Sequence, residues 1–231
     1  MSHKFLRHIP CPKCGSKDNL GEYDDHLYCF GCGYYKRKDD LNSLRERLQP
    51  KQNSSNDYSM LDTTPDIPLE GVKWLMKYGI TVPEITKHNI QWCESQRLLL
   101  LINTLSYWQG RSFRSIGPKY LSHGVKPLTI YGKSDTIIVL VEDILSAIKI
   151  SRLENICSSP LLGSSVSFDF EKEYVGMNKQ INIWLDRDKA KQAVKIKNRF
   201  KGLGCNAKVI ITDKDPKEYN TQEISTWLKN K

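Results

Sequence analysis

The sequence predicts a mixed α+β and α/β protein: an N-terminal β-rich module held by four cysteines, a linker, and a core that ends in a doubly wound parallel sheet. Three observations predict it. Two CxxC pairs fall in a segment with few aliphatic residues, which cannot build an apolar core of its own. A stretch rich in Asn, Ser, Asp, Thr and Pro follows at about 50–66. From about Asp135, short apolar runs alternate with segments of helical spacing, as expected for parallel strands covered on both faces. The expected divisions are a module at 1–40, a linker at 41–66, a basic subdomain at 67–134 and an α/β domain at 135–231.

Within the linker span, LNSLRERLQP (41–50) reads as a short helix ending before Pro50. Next, EGVKWLMKYGI has helical spacing with Val72, Leu75 and Met76 on one face and Gly79 as C-cap. TVPEITKHNI reads as a second short helix with Pro83 in its first turn. RLLLLIN and SYWQGRSFR form a pair of strands around a turn. TIIVLV is a strand and EDILSAIKISRL a helix; NICSSPLLG, INIWLD and AKVIIT are further short apolar segments. RDKAKQAVKIKNRFKGLG is a helix closed by Gly202 or Gly204, with Ala193, Ile196, Phe200 and Leu203 as its inner stripe. The tail NTQEISTWLKNK is a final helix with Asn220 as N-cap and Glu223 at N3.

Composition bounds the function. The chain has 231 residues, with 35 Lys plus Arg against 26 Asp plus Glu, a net charge of +9. That excess suits an acidic partner, nucleic acid first, although charge alone equally serves solubility. No run of ~18 apolar residues marks a membrane span, and the first residues lack the apolar region of a secretory signal. A cytoplasmic location follows as the expectation, and the seven cysteines are then not expected to be a disulfide framework.

Cys11-x2-Cys14, fourteen intervening residues and Cys29-x2-Cys32 have the layout of a zinc ribbon. Each pair turns two thiolates toward one ion, and four thiolates suit tetrahedral Zn²⁺. A redox dithiol pair or an iron–sulfur cluster would not need two matched knuckles around a β-rich insert. A filled four-thiolate site leaves no open position, so the zinc would be structural. Basic and aromatic residues around it (Arg7, His26, Tyr28, Phe30 and Tyr35 among them) suit stacking on bases and pairing with phosphates, or simply pack the ribbon. Cys93, Cys157 and Cys205 are read as small buried hydrophobes.

The second constellation is acidic. Glu142 ends the strand IIVLV, and Asp186 and Asp188 end INIWL. Ligands of such sheets gather at the carboxyl ends of strands. Extended backbone would point Asp186 and Asp188 to one side, and three carboxylates there call for a hard cation, Mg²⁺ or Mn²⁺. The competing reading makes each aspartate a helix N-cap. Upstream, QGRSFRSIGPKYLSHG carries Arg111, Arg114 and Lys119 without an acid, as phosphate-binding residues or a solvated surface. From Arg187 to Lys201 seven Lys or Arg accompany only Asp188, on a helix that lines a nucleic-acid groove or faces solvent. YGKSD (131–135) is not a Walker A motif, because Pro127 stands where its first Gly is required. No helicase motor is expected.

The acidic arrangement resembles the TOPRIM domain of primases and topoisomerases over about 135–215, with Glu142, Asp186 and Asp188 at the metal-binding positions, Asp215 at a further acidic position and Gly163 at a turn. Asp143, Ser146 and Lys191 depart from the pattern, which usually has Gly, Asp and Gly there. The order of ribbon, linker, basic GR…GPKYL segment and TOPRIM resembles bacterial and bacteriophage primases over nearly the whole chain, and FLRHIPCPKCGSKDN looks like the start of phage primase–helicase proteins. The resemblance implies a DNA primase that makes short RNA on single-stranded DNA from ribonucleoside triphosphates, with one structural zinc and catalytic Mg²⁺ (or Mn²⁺). It also implies that Glu142, Asp186 and Asp188 are catalytic. Arg111, Arg114, Lys119 and Asp215 would bind template or substrate, and a separate replicative helicase would be the partner. Glu142 is either metal ligand or general base. The alternative is a non-catalytic zinc/TOPRIM clamp of the recombination-mediator type, which places a helix–hairpin–helix before its zinc site, where this chain has ten residues before Cys11.

Overall fold

The structure is a computed structural model that describes residues 4–37 and 61–229. The chain divides into two compact units, Met1–Ser59 and Met60–Lys231. The helix expected at 41–50, and most of the expected linker, lie outside the described residues.

The first unit is one antiparallel sheet, β1 (Phe5–Ile9), β2 (Leu20–Tyr23), β3 (His26–Cys29) and β4 (Tyr35–Arg37), in sequence order. Its interior is small: Cys11, Leu20 and Cys29 are buried, with Ile9, Leu27, Cys32 and Tyr34 packed around them. Such an interior is far below what a free-standing domain needs.

The second unit joins two sheets. The antiparallel sheet runs β5 (Gln91–Cys93), β6 (Leu98–Asn103), β7 (Tyr107–Ser112), β8 (Tyr120–Gly124). Helices α1 (Leu69–Lys77) and α2 (Val82–Lys87) precede it. Gly79, at φ +71°, closes α1, and Ile80 N–H donates to Leu75 O, the expected C-cap. Leu75 is buried, but Met76 points to solvent because the apolar stripe is narrower than the sequence pattern suggested. Thr64, within the expected linker span, already exchanges two hydrogen bonds of 2.8 Å with Trp92. The apolar run in β6 splits by strand alternation: Leu99 and Leu101 face the main core, while Leu98 and Leu100 face a small cluster with Cys93.

The parallel sheet has the order β10 (Cys157–Pro160), β9 (Ile137–Val141), β11 (Gln180–Ile183), β12 (Ala207–Val209). Helices α3 (Ile144–Ile150), α4 (Phe168–Gly176) and α5 (Ala190–Gly202) connect its strands, and α6 (Thr221–Lys229) closes the described chain. Alternation along β9 again divides the core. Val139 and Val141 pack with Ile144, Ile148, Ile224 and the antiparallel sheet's Trp92, Leu99 and Leu101. Ile138 and Leu140 pack on the other face with Tyr174, Ala193, Ile196 and Phe200. The sheet is therefore doubly wound, and one core cements the antiparallel sheet to one of its faces.

Asn220 and Glu223 form the expected capping box of α6, with bonds of 2.7 and 2.9 Å. Leu203, expected on the inner stripe of α5, is exposed because the helix has already ended at Gly202. Helix α4 has no counterpart in the sequence reading. Its segment FDFEKEYVG fully buries only Glu171, paired to Arg199 at 2.6 Å, and Tyr174, with Phe170 and Val175 partly buried against the core, so its apolar face is short and interrupted by charge. Cys93 and Cys157 are buried, and Cys205 is half-buried. Among the described residues, no helix is long and apolar enough to cross a membrane.

Candidate metal centres and the carboxylate cleft

The two CxxC knuckles repeat the same backbone bonds. Gly15 N–H donates to Cys11 O at 3.0 Å, and Gly33 N–H to Cys29 O at 2.9 Å. Cys11 N–H donates to Ser16 O and Cys29 N–H to Tyr34 O, both at 2.8 Å. Both glycines adopt left-handed φ, +70° and +69°, with open space where a Cβ would stand, so they serve the turn rather than a close approach. The four Sγ atoms lie within 4.8 Å of one another, with Cys11–Cys32 and Cys14–Cys29 each at 3.8 Å. Bonds of ~2.3 Å in a tetrahedron put sulfurs ~3.8 Å apart, so the thiols fit a zinc ion.

Outside that centre the ribbon carries aromatic surface. Phe30 is 60% exposed and Tyr35 51%. The Tyr23 and His26 rings stack at 4.5 Å, with Phe5 and Tyr35 continuing the row at 5.6 and 5.3 Å. Packing of the ribbon core takes Leu20, Leu27 and Tyr34 instead.

The carboxylates gather at the carboxyl ends of the parallel strands. A cleft of about 250 Å³ there is lined by Glu142, Asp143, Asp186 and Lys217, with Gln109 and Tyr120 from the antiparallel sheet. Glu142 follows β9 directly, and Gly163 N–H fixes its carbonyl at 3.2 Å. Asp186 occupies the N-cap position of the 3-10 turn Arg187–Lys189, yet its side chain makes no cap bond. It accepts from Lys217 Nζ at 3.2 Å through Oδ2, while Asp186 Oδ1 and Glu142 Oε2 are buried without a partner. Unpartnered buried oxygens are costly, and these two fit a hard cation. Burial pushes the Asp186 carboxyl up to about 7, with Lys217 pulling it down and Asp143 and Asp215 adding to the rise. Burial also raises Glu142.

Asp188 is placed differently from the sequence expectation. Strand β11 ends at Ile183, so Asp186 and Asp188 do not share an extended segment. Asp188 is exposed and paired with Lys189 at 2.5 Å; it does not line the cleft, but its charge adds to the burial that raises Glu142. The only group of three or more metal-type ligands converging among the described residues is the cysteine set. The N-cap reading holds for Asp143, which the sequence analysis noted only as a departure: it caps α3 by accepting from Ser146 N–H at 3.0 Å and reaches Lys217 at 3.0 Å.

Asp215 lies after β12, accepts from Arg187 N–H at 3.2 Å and pairs with Lys217 at 3.3 Å. Lys217 was missed altogether, because its partners come together only when three strand ends are aligned. Burial opposes its charge, but Asp143, Asp186 and Asp215 outweigh burial and hold the ammonium above the usual lysine range.

Of the expected basic residues, Arg111 comes nearest this cleft. It lies opposite Tyr120 in the β7–β8 pairing, its guanidinium 5.5 Å from the Tyr120 ring and 5.8 Å from Trp74. Arg114 is turned onto Gln96 at the far turn, with a 3.0 Å bond to its carbonyl. Lys119 is exposed. Helix α5 buries Ala193, Ile196 and Phe200 and leaves Lys191 and Lys201 exposed.

These features define a four-cysteine β-rich module followed by a primase-like α+β core. Solved structures share that fold. The chain is similar to the E. coli primase catalytic core, with a TM-score of 0.53 at 11% identity over 69% of this chain and 72% of that one. It also matches the zinc-binding and RNA polymerase domains of Aquifex aeolicus primase, at 0.49 and 13% over 100% of this chain and 80% of that one. A DnaG primase catalytic domain bound to single-stranded DNA matches at 0.45 and 13%, over 68% and 61%. No protein-family profile and no curated protein matches the chain.

Proposed function

We propose that this protein is a DNA primase, a nucleotidyltransferase that begins short RNA chains on a single-stranded DNA template. The observation that carries the reading is the pair of unpartnered buried oxygens, Glu142 Oε2 and Asp186 Oδ1, at adjacent strand ends in a primase-like core. In this reading residues 135–231 are a TOPRIM domain, residues 67–134 its basic partner, and the ribbon at 1–40 meets the template.

Glu142 and Asp186 would hold Mg²⁺, with Asp188 at the mouth. A bound Mg²⁺ stabilises charge on the attacking and leaving oxygens of phosphoryl transfer. The reaction joins the 3′-hydroxyl of one nucleotide to the α-phosphate of the next and releases pyrophosphate. Arg111, held between Trp74 and Tyr120, would meet phosphate beside the cleft, and Arg114 and Lys119 would hold the strand farther out. The exposed aromatic rings of the ribbon, Phe5, Tyr28, Phe30 and Tyr35, would stack on bases. A separate helicase would supply the template in the cytoplasm, and the phage-type opening FLRHIPCPKCGSKDN favours a phage-encoded enzyme.

The test is incubation with single-stranded DNA, Mg²⁺ and labelled ribonucleotides. Short RNA products that fall at least ~100-fold in Asp186→Asn, with DNA binding retained, are expected. Tight DNA binding without products would replace the reading with a clamp, and DNA cleavage would replace it with a nuclease.

A further inference from the structure

Lys217 sits at the meeting point of three carboxylates. Its Nζ lies 3.0 Å from Asp143 Oδ2, 3.2 Å from Asp186 Oδ2 and 3.3 Å from Asp215 Oδ2. Three carboxylates thus converge on one ammonium whose side chain is only 14% exposed. The side chain is also anchored from behind. Its backbone carbonyl accepts a 2.6 Å bond from Lys149 Nζ, and Lys149 is buried in the stripe of α3. The turn itself is closed by Asp215 N–H donating to Glu218 at 3.3 Å. A surface lysine would lose little by swinging away, but this one would abandon three ion pairs and leave Asp186 and its neighbours uncompensated.

The division of oxygens is informative. Lys217 uses Asp186 Oδ2 and leaves Asp186 Oδ1 without a partner, as Glu142 Oε2 is in the same cleft. One side of the acidic cluster is satisfied by the chain's own cation, and the other side is open. Two-metal phosphoryl-transfer centres place their ions ~3.5–4 Å apart, and a shared carboxylate bridges them. Here the bridging carboxylate already spends one oxygen on an ammonium.

We propose that Lys217 is a built-in counter-cation that restricts this centre to one divalent ion, bound on the Glu142–Asp186 side, and positions Asp186 for it. The inference rests on the metal-dependent reading above and says which part of that centre the protein supplies itself. Lys217 is thereby a positioning residue.

Mn²⁺ titration of the zinc-loaded full chain, followed by the loss of the free Mn²⁺ electron paramagnetic resonance signal, tests it without reference to activity. The difference between wild type and Asp186→Asn counts the ions at the cleft. One ion is expected in wild type and one in Lys217→Arg, which keeps the charge. Lys217→Met should take up a second. Two ions in wild type would mean that Lys217 moves aside, and one ion in a folded Lys217→Met would mean that it holds no cation position. Either result overturns the proposal and leaves the metal-dependent function standing. Should Lys217→Met fail to fold, the wild-type and Lys217→Arg counts still decide, since two ions in either sink it. No ion in wild type above Asp186→Asn would overturn the proposal together with the metal reading.

Discussion

Arg152 ties the basic sheet's helices to the parallel sheet, and its removal has a calculable cost. Its Nε and Nη2 donate to the two oxygens of Glu84 at 2.7 and 2.8 Å, and Nη2 also donates to Gly79 O at 2.7 Å. Glu84 belongs to α2, while Arg152 lies just after α3. Breaking a fully buried pair from one side costs ~3–5 kcal/mol. Arg152 and Glu84 keep 24% and 16% of their side-chain surface, so solvent screening brings the expected loss for Arg152→Met to ~2–3 kcal/mol. A double-mutant cycle with Glu84→Gln should give a coupling of ~1.5–2 kcal/mol. Urea unfolding followed by tryptophan fluorescence measures it, because all five tryptophans lie in the second unit. The coupling also has a pH signature. Burial opposes the Glu84 charge, but the bonds from Arg152 and Thr81 hold its carboxyl below the usual glutamate range. A depressed carboxylate stabilises the native state above its unfolded value, and that contribution disappears as pH falls through the folded one. The coupling should therefore be full at neutral pH and shrink below about pH 4.3. Additivity within ~0.5 kcal/mol at neutral pH would refute the reasoning, since it would show that the joint carries no load.

Two further outcomes are expected. Cys29→Ser should release zinc, measured by atomic emission, and unfold the ribbon while leaving the tryptophan-reported unfolding of the second unit unchanged; a ribbon that keeps both zinc and its native spectrum would contradict the closed four-thiolate site. Lys149 is held down to about 8 by burial, with Arg152 adding to the effect and Glu223, Glu84 and Asp143 opposing it. Between about pH 8 and ~10.4 the unfolded chain binds the proton that the native state has released, so stability should rise with pH there, and the rise should vanish in Lys149→Met. Parallel urea midpoints for both proteins across that range would show that Lys149 is not the group responsible.

What the sequence made legible was local. CxxC spacing announces a metal knuckle because both ligands and the turn lie within a few residues, and the two knuckles indeed repeat the same hydrogen bonds. The capping box at Asn220–Glu223 is equally short-range. Strand-end acids were legible as positions but not as directions. Whether Asp188 faces the cleft depends on where β11 stops, and an apolar run continuing through Trp184 and Leu185 hides that stop. Lys217 was illegible for a different reason. Its three partners follow three strands, β9, β11 and β12, and only the sheet order makes them neighbours.

The net charge of +9 then has two separate consequences. Among the described residues most of the basic side chains are exposed, and their long-range attraction for an acidic partner should weaken as ionic strength rises. Lys217 acts at contact, inside an acidic cleft, and salt should scarcely touch it because it is largely buried. The two are coupled through packing rather than through space. Lys149 leaves the buried stripe of α3 to hold the Lys217 carbonyl, while Asp143 begins that same helix and holds the Lys217 ammonium. Helix α3 is therefore the element that fixes the internal cation at both ends. Its apolar residues Ile144 and Ile148 lie in the core that also holds Trp92 and Leu99 of the antiparallel sheet. Anything that loosens that shared core should disturb Lys217 and the Asp186 carboxylate before it disturbs the exposed charges, so damage to the cleft should precede any loss of the exposed basic surface.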